Sequence, residues 1–307
     1  MLMRGACLVG TLLALGTVSA EQCSICHARE ATAHASSAHA AALQPVLQSR
    51  FYQALPNRPI GEARDGFLLT YERQGESVQV TAQRGGEAAS ALIQWIFGAG
   101  RRAETPVALR GPVFIEHRIS YYSEGDRFDL TMGHAAGISR SAGQALGRAQ
   151  SRDVIEQCFG CHSTGGIPPA KSFQPGVQCE SCHAGALDHS NHHGPVQNPG
   201  RLKPKALVAF CASCHRSEVE GNPGDPINVR YQVVRLSRSK CFQTGKLSCL
   251  TCHDAHADVR KDTANYRSRC LECHPDQQDR GDCISCHMPR VSVTPRLVFT
   301  DHYIRVK

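Results

Sequence analysis

The pentapeptide C-x-x-C-H occurs seven times in this chain and uses fourteen of its sixteen cysteines. The copies are Cys23/Cys26/His27, Cys158/Cys161/His162, Cys179/Cys182/His183, Cys211/Cys214/His215, Cys249/Cys252/His253, Cys270/Cys273/His274 and Cys283/Cys286/His287, referred to below as motifs 1 to 7. Two thiols three residues apart can reach the two vinyl groups of one porphyrin, and the next residue then swings an imidazole under the iron. A single turn of helix supplies that geometry. Structural zinc also uses C-x-x-C pairs, but it does not require a histidine after every pair and is not expected in an exported chain. Each copy therefore reads as an attachment site for covalently bound haem c, seven in all.

Export is expected from the N-terminus. Arg4 precedes an apolar run from Gly5 to Val18, and Val18-Ser19-Ala20 offers a small-residue cleavage site, so 1–20 reads as a signal peptide. The run is shorter than the ~20 apolar residues a bilayer-spanning helix needs, and no later segment is apolar enough to span. Cys7 lies inside the leader, which leaves Cys241 as the one mature cysteine outside a motif. Its plainest reading is a small buried hydrophobe. The formal net charge of +7 includes Arg4 and ignores haem. Without Arg4 it is +6, and seven ferric haems with ionised propionates, each adding one net negative charge, bring the total to about −1. The basic excess is thus expected to neutralise propionates, with Lys203, Lys205, Arg235, Arg238 and Lys240 as partners. No basic tract interleaved with aromatics points to nucleic acid.

Motif spacing divides the mature chain. Residues 21–65 form an Ala-rich, helical first haem segment. Residues 66–140 carry the β-branched and aromatic runs Phe67–Tyr71, Ser77–Thr81, Val113–Ile115 and Arg118–Tyr122, punctuated by Gly75, Gly85-Gly86, Gly111-Pro112 and Gly125, and predict a small antiparallel β-rich insert. Residues 141–290 hold six motifs in short helices and Gly/Pro-rich loops, and 291–307 form a C-terminal tail. The expected fold class is a multihaem cytochrome c, mainly short α-helices and loops packed around haems. Aliphatic content in the hexahaem region is thin for its length, so porphyrin faces take the place of an ordinary core and the thioethers act as staples.

Nine histidines stand outside the motifs: His34, His39, His117, His134, His189, His192, His193, His256 and His302. All are candidate distal ligands. His189 and His256 follow His183 and His253 too closely to cross their own haem, so they are expected to serve neighbouring ones, which pulls haems into contact. His302 in the tail is expected to be distal as well. Met132 and Met288 are the only mature methionines, and Met288, directly after His287, cannot turn onto the same iron. Most haems are therefore expected to be bis-His and of low potential. Filled sixth positions leave no place for substrate, which favours electron transfer over catalysis.

Several segments resemble the cytochrome c-554 family of multihaem cytochromes: Cys23-Ser-Ile-Cys-His27 followed by Ser37-Ala-His39-Ala-Ala-Ala42, and Gly176-Val-Gln-Cys179-Glu-Ser-Cys182-His183. Cys249-Leu-Thr-Cys-His253-Asp-Ala-His256, Cys283-Ile-Ser-Cys-His287-Met-Pro289 and Thr300-Asp-His302 are similar to larger relatives of that family. The resemblance implies a periplasmic or extracellular electron carrier with close-packed haems and with His39 and His302 in distal positions. The tetrahaem member accepts electrons from hydroxylamine oxidation and keeps one haem five-coordinate. Seven motifs and the β-rich insert depart from it, so partner and substrate do not carry over.

The leading expectation is a heptahaem conduit between a donor and an acceptor protein outside the cytoplasm. A second reading is an oxidoreductase of small nitrogen or sulfur compounds, such as nitrite or hydroxylamine, at one five-coordinate haem. The chain has no C-x-x-C-K site of the pentahaem nitrite reductases, and Tyr121, Tyr122 and Tyr303 carry no signature of the cross-linked tyrosine of hydroxylamine oxidoreductases. The third reading is a subunit of an extracellular haem filament, formed by self-association.

Overall fold

The β-rich stretch is larger than the sequence suggested, and its sheet reaches beyond 66–140 at both ends. The structure, a computed structural model, describes residues 20–61, 65–259, 262–277 and 281–306. Apart from Ala20, the leader expected over 1–20 lies outside the described residues.

Ten strands form one antiparallel sheet: β1 (Leu43–Pro45), β2 (Ile60–Gly61), β3 (Leu68–Gln74), β4 (Ser77–Arg84), β5 (Glu87–Phe97), β6 (Ala103–Arg110), β7 (Val113–His117), β8 (Ile119–Tyr122), β9 (Arg127–Leu130) and β10 (Gly147–Ala149). The main path runs β10-β7-β6-β5-β4-β3-β2. Strand β5 pairs with β4 along its first half and with β1 along its second, while β6 follows its other edge. Strand β6 in turn gives one end to β7 and the other to β8, so the sheet curls into a half-barrel. Gly75 and Gly111 have φ of 60° and 58° in the β3–β4 and β6–β7 turns, a conformation that tight hairpins require and side chains resist.

Strict alternation builds the core. Val78, Val80 and Ala82 of β4 are fully buried, while Gln79, Thr81 and Gln83 between them face outward. They pack with Leu69, Ile93, Ile96, Phe51 and Phe67 and with the helix Ala142–Leu146. A bulge between Ile93 and Trp95 resets the alternation of β5. With period two, Trp95 and Phe97 would share the side of Ile93; after the bulge Ile96 takes the core side, and Trp95 and Phe97 turn to the opposite face. There they join a second cluster with Leu43, Val107, Phe114, Ile155, Phe159 and Phe173. Phe159 belongs to the helix Arg152–His162, which carries motif 2, and its ring stands 5.1 Å from that of Phe97. The sheet is thus a platform for motif 2.

Strands β5 and β6 lie outside the runs read as strands. Strand β5 opens Glu87-Ala-Ala-Ser-Ala91, a composition that favours helix, and β6 carries Pro106 in mid-run. Pairing on both edges outweighs those local preferences.

His117 lies in this core at 0% exposure. Its Nδ1 donates to the Leu146 carbonyl at 2.6 Å, so in the neutral ring Nε2 accepts from the Tyr71 hydroxyl at 2.8 Å. Burial pushes its pKa down to about 4. The rest of the described chain is short helices and loops, with two two-stranded ladders: Ser163–Thr164 with Gln174–Pro175, and the hairpin Arg290–Thr294 with Leu297–Thr300 before the tail. No helix among the described residues is long and apolar enough to cross a membrane.

Two outcomes test this frame. His117 folds neutral with a pKa below its unfolded value of about 6.5, so the unfolded chain binds more protons between those values. Its contribution is complete above pH 6.5 and is lost as pH falls through about 4, a loss of about 3 kcal/mol. Denaturation midpoints followed across that window should drop less steeply in His117→Gln. Phe159→Ala should cost ~3–5 kcal/mol in chemical denaturation by emptying the seam between sheet and motif 2.

Candidate haem sites

In every motif the five residues close one helical turn. Motifs 2, 4 and 7 lie within the helices Arg152–His162, Pro204–His215 and Cys283–His287. In motifs 1, 3, 5 and 6 the histidine N–H donates to the carbonyl of the first cysteine at 2.8–3.0 Å, four residues back. Both thiols and the imidazole are therefore presented from one turn. No disulfide joins the described cysteines, and no cluster of three or more His, Cys, Asp or Glu among the described residues is arranged to cage a metal ion. That arrangement does not fit structural zinc, whose sites close four ligands around the ion.

The motifs converge on one continuous cavity of about 3950 Å³. Pockets for a single small ligand run ~300–1,000 Å³, so this space suits several large cofactors together. Its walls include the cysteines and histidines of motifs 1, 3, 4 and 5, Cys161 and His162 of motif 2, and Cys270 of motif 6. Thiols of different motifs meet inside it: Cys23 reaches Cys179, Cys161 reaches Cys214, and Cys211 reaches Cys249.

Not every attachment cysteine expected from the sequence lines this space. Cys273 is the clearest departure: it is exposed and lies off the cavity wall, although its motif partner Cys270 is part of that wall. The reason is local. Cys270 sits in the last turn of the helix Thr263–Leu271, whereas Cys273 and the exposed His274 fall beyond the end of that helix, on the side that faces solvent. Cys158 of motif 2 and Cys283 and Cys286 of motif 7 also lie off the wall, with Cys286 exposed.

Four motif histidines face a second imidazole across this space. The ring centres of His27 and His189 are 6.4 Å apart, those of His39 and His215 6.0 Å, His183 and His256 6.1 Å, and His253 and His302 6.2 Å. His189 and His256 each face the histidine of a motif other than the one they follow. In most of these rings Nδ1 is tied to an acceptor, which turns Nε2 away from it. His39 donates to the Ala255 carbonyl, His183 to Gln197, His189 to Gly194 and His302 to Thr300, at 2.9–3.1 Å. His215 reaches the Gln232 side chain at 3.4 Å, and His256 Nδ1 lies 3.4 Å from the Asp254 carboxylate. Such outer partners fix the tautomer and orient the ring in metal-binding histidines. Burial lowers the pKa of His215 and His253, and takes His302 down to about 4, so these rings are neutral near pH 7, the form that binds a metal.

The other three motif histidines have different surroundings. His162 donates from Nδ1 to the Ala42 carbonyl at 2.9 Å and meets the ring of Phe97 at 5.1 Å. Burial lowers its pKa as well. His287 donates from Nδ1 to the Arg305 carbonyl at 2.7 Å, and His274 is exposed beside Cys273. Among the remaining candidates, His34 donates from Nε2 to the Val177 carbonyl, and His134 uses Nε2 on the Glu116 carboxylate. His117 has both nitrogens engaged in the sheet core. His192 is exposed and bonds Asp188, and His193 stands edge-on to His189 at 6.5 Å.

Arg235, read from sequence as a propionate partner, is buried against Asp301 instead. Cys241 is half-buried on the short helix Lys240–Gln243, close to Cys252 and Cys270. The hydrogen bonds that aim the imidazoles could not be found from sequence, because their acceptors are mostly main-chain carbonyls that any residue supplies.

Residues 127–184, which span motifs 2 and 3, match the family model for cytochrome c554 and c-prime. The fold is similar to that in the crystal structure of the outer cell wall cytochrome OcwA, with a TM-score of 0.54 and 14% identity over 94% of this chain and 80% of that one. None of the proteins with curated functions matches. The chain resembles multihaem c-type cytochromes, proteins of electron transfer, and its family resemblance is to cytochrome c554.

Proposed function

We propose that this chain is an exported heptahaem c-type cytochrome that relays electrons between redox partner proteins, with most of its haems held by two imidazoles. The observation that carries the proposal is the set of four facing ring pairs at 6.0–6.4 Å. Two histidine nitrogens bound on opposite sides of one metal ion at about 2 Å each, with roughly 1.2 Å from nitrogen to ring centre, would set the centres about 6.4 Å apart. On this reading the proximal and distal ligands are His27 with His189, His183 with His256, His215 with His39, and His253 with His302. For motifs 2, 6 and 7 it names the proximal His162, His274 and His287. His34, His117 and His134, whose Nε2 atoms are hydrogen-bonded, serve the fold.

Bound haem supplies reversible one-electron chemistry, and the protein supplies attachment, orientation and electrostatics. The seven pairs of motif cysteines, Cys23 and Cys26 through Cys283 and Cys286, hold the porphyrins by thioether bonds. In motif 6 the pair straddles the cavity rim, with Cys270 on the wall and Cys273 on the solvent side. The Nδ1 bonds to carbonyls raise the basicity of the ligating nitrogens, and two imidazoles in place of a Met/His pair keep the potential low. The thiol contacts Cys23–Cys179, Cys161–Cys214 and Cys211–Cys249 support neighbouring positions for the haems of motifs 1 and 3, 2 and 4, and 4 and 5. Motif 4 is then the shared neighbour of two others. Rings that fill both axial positions exclude small molecules, which argues for relay and against turnover at those irons.

Purified mature protein is expected to carry seven haems by mass and pyridine haemochrome titration, and a mass without covalent haem would end this reading. His39→Ala, His189→Ala and His256→Ala should each add one CO-binding haem to the ferrous protein, measured by optical titration, while His34→Gln adds none. An unchanged CO stoichiometry in all three alanine variants would overturn the ligand assignment.

A further inference from the structure

The last described residues of the tail are irregular backbone, yet they are fastened more firmly than the loops around them. Asp301 is fully buried at 0% exposure. Its carboxylate accepts from Arg235 Nε at 2.8 Å and from a terminal guanidinium nitrogen at 2.5 Å, a two-pronged charged contact. It also accepts from the Tyr303 N–H and from the Arg305 guanidinium, both at 3.0 Å. Arg235 spends its remaining terminal nitrogen on the Pro223 carbonyl. The backbone on either side is pinned as well. Asp301 N–H donates to the Pro289 carbonyl, and the buried Ser239 hydroxyl donates to the His302 carbonyl while accepting from the Ile304 N–H.

Two histidine sites hang on this strap. His302, the residue after Asp301, faces His253 of motif 5. Arg305, which grips the same carboxylate, gives its carbonyl to His287 Nδ1 of motif 7 and donates its own N–H back to the His287 carbonyl. We infer that Asp301, locked by Arg235, is a positioning residue for two haem sites at once: it presents His302 to the iron of motif 5, and through Arg305 it holds the acceptor that orients His287 in motif 7. This rests on the reading of His302 as a distal ligand. A buried ion pair of this quality need not have been kept for stability alone, since apolar side chains of similar volume often do as well. An acceptor on Nδ1 and a fixed ring angle are what outer-shell groups contribute to a metal site.

The test compares four variants of the haem-loaded protein by ferric cyanide binding and by redox titration. His302→Ala defines the signature of an opened motif 5 haem; if it gains no cyanide site, the ligand reading itself fails. Asp301→Asn keeps the shape and removes the charge. It should raise cyanide affinity at that same haem ~10–100-fold, the usual range for outer-shell losses, with external imidazole restoring the low-spin spectrum. It should also shift the motif 7 haem to higher potential, as its proximal ring loses an oriented acceptor. Arg305→Ala removes only the guanidinium contact to Asp301 and keeps the backbone of the strap; it should reproduce the motif 7 shift while motif 5 stays closed. A wild-type response of Asp301→Asn at both haems, alongside an opened His302→Ala, would overturn the inference and leave the ligand assignment standing. Should Asp301→Asn fail to accumulate with full haem content, Arg235→Lys decides in the same way. It keeps the charge but loses the fork, and wild-type cyanide affinity and potential in it would overturn the inference.

Discussion

Facing imidazoles about six ångströms apart are the constraint on which the haem-binding half of this molecule depends. Two neutral rings do not hold such a spacing by attraction for each other. Most are anchored from behind at Nδ1: His39, His183, His189 and His302 by main-chain carbonyls, and His215 and His256 by the side chains of Gln232 and Asp254. The motifs build much of the wall of the cavity between them, together with apolar side chains such as Val177, Leu207, Val233, Leu236 and Leu250. The helical turns of motifs 1 to 5 therefore do two jobs, since they present thiols and imidazole together and also build much of the wall of the space those groups face.

The sheet has the opposite character. It closes a conventional apolar core with clean alternation, and it communicates with the cavity at one seam. A one-residue bulge in β5 makes that seam, by turning Trp95 and Phe97 away from the core and onto Phe159 and Phe173. His162 is pressed against Phe97 and bonded to Ala42, the residue just before β1. Motif 2 is thus seated on a rigid platform, whereas motifs 6 and 7 have most of their residues away from the cavity wall.

The seven motif turns were legible in the sequence, because each C-x-x-C-H run closes one helical turn. Their depth was not: nothing in the spacing of motif 6 tells Cys270, at the cavity, from Cys273, in solvent, because that depends on where the preceding helix ends. That His189 and His256 answer to motifs other than their own also followed from reach alone. The pairing of His27 with His189 or of His215 with His39 was not legible, since it depends on how segments more than 150 residues apart come together. What surrounds His117 was not legible for a related reason: its place in the sheet core and its hydrogen bonds to Tyr71 and Leu146 depend on segments distant in sequence. The size of the sheet was underestimated because β5 begins with alanines and β6 contains a proline, and only edge pairing reveals them as strands. Arg235 was assigned to a cofactor carboxylate when its partner was the side chain of Asp301.

In the proposed assignment the two halves of each axial pair come from distant stretches, and the later half arrives in the order His189, His215, His256, His302. A chain threaded outward from its N-terminus could acquire thioethers as each motif emerges, but the irons of motifs 1, 3 and 5 could not be capped until a downstream segment followed; among these four, motif 4 alone finds its partner, His39, already upstream. The last of these capping groups, His302, follows all seven motifs in the sequence, so the motif 5 site would close only after every attachment turn has emerged. Every prematurely stopped chain would then hold porphyrins with accessible metal, which gives quality control a chemical mark to distinguish fragments from finished protein.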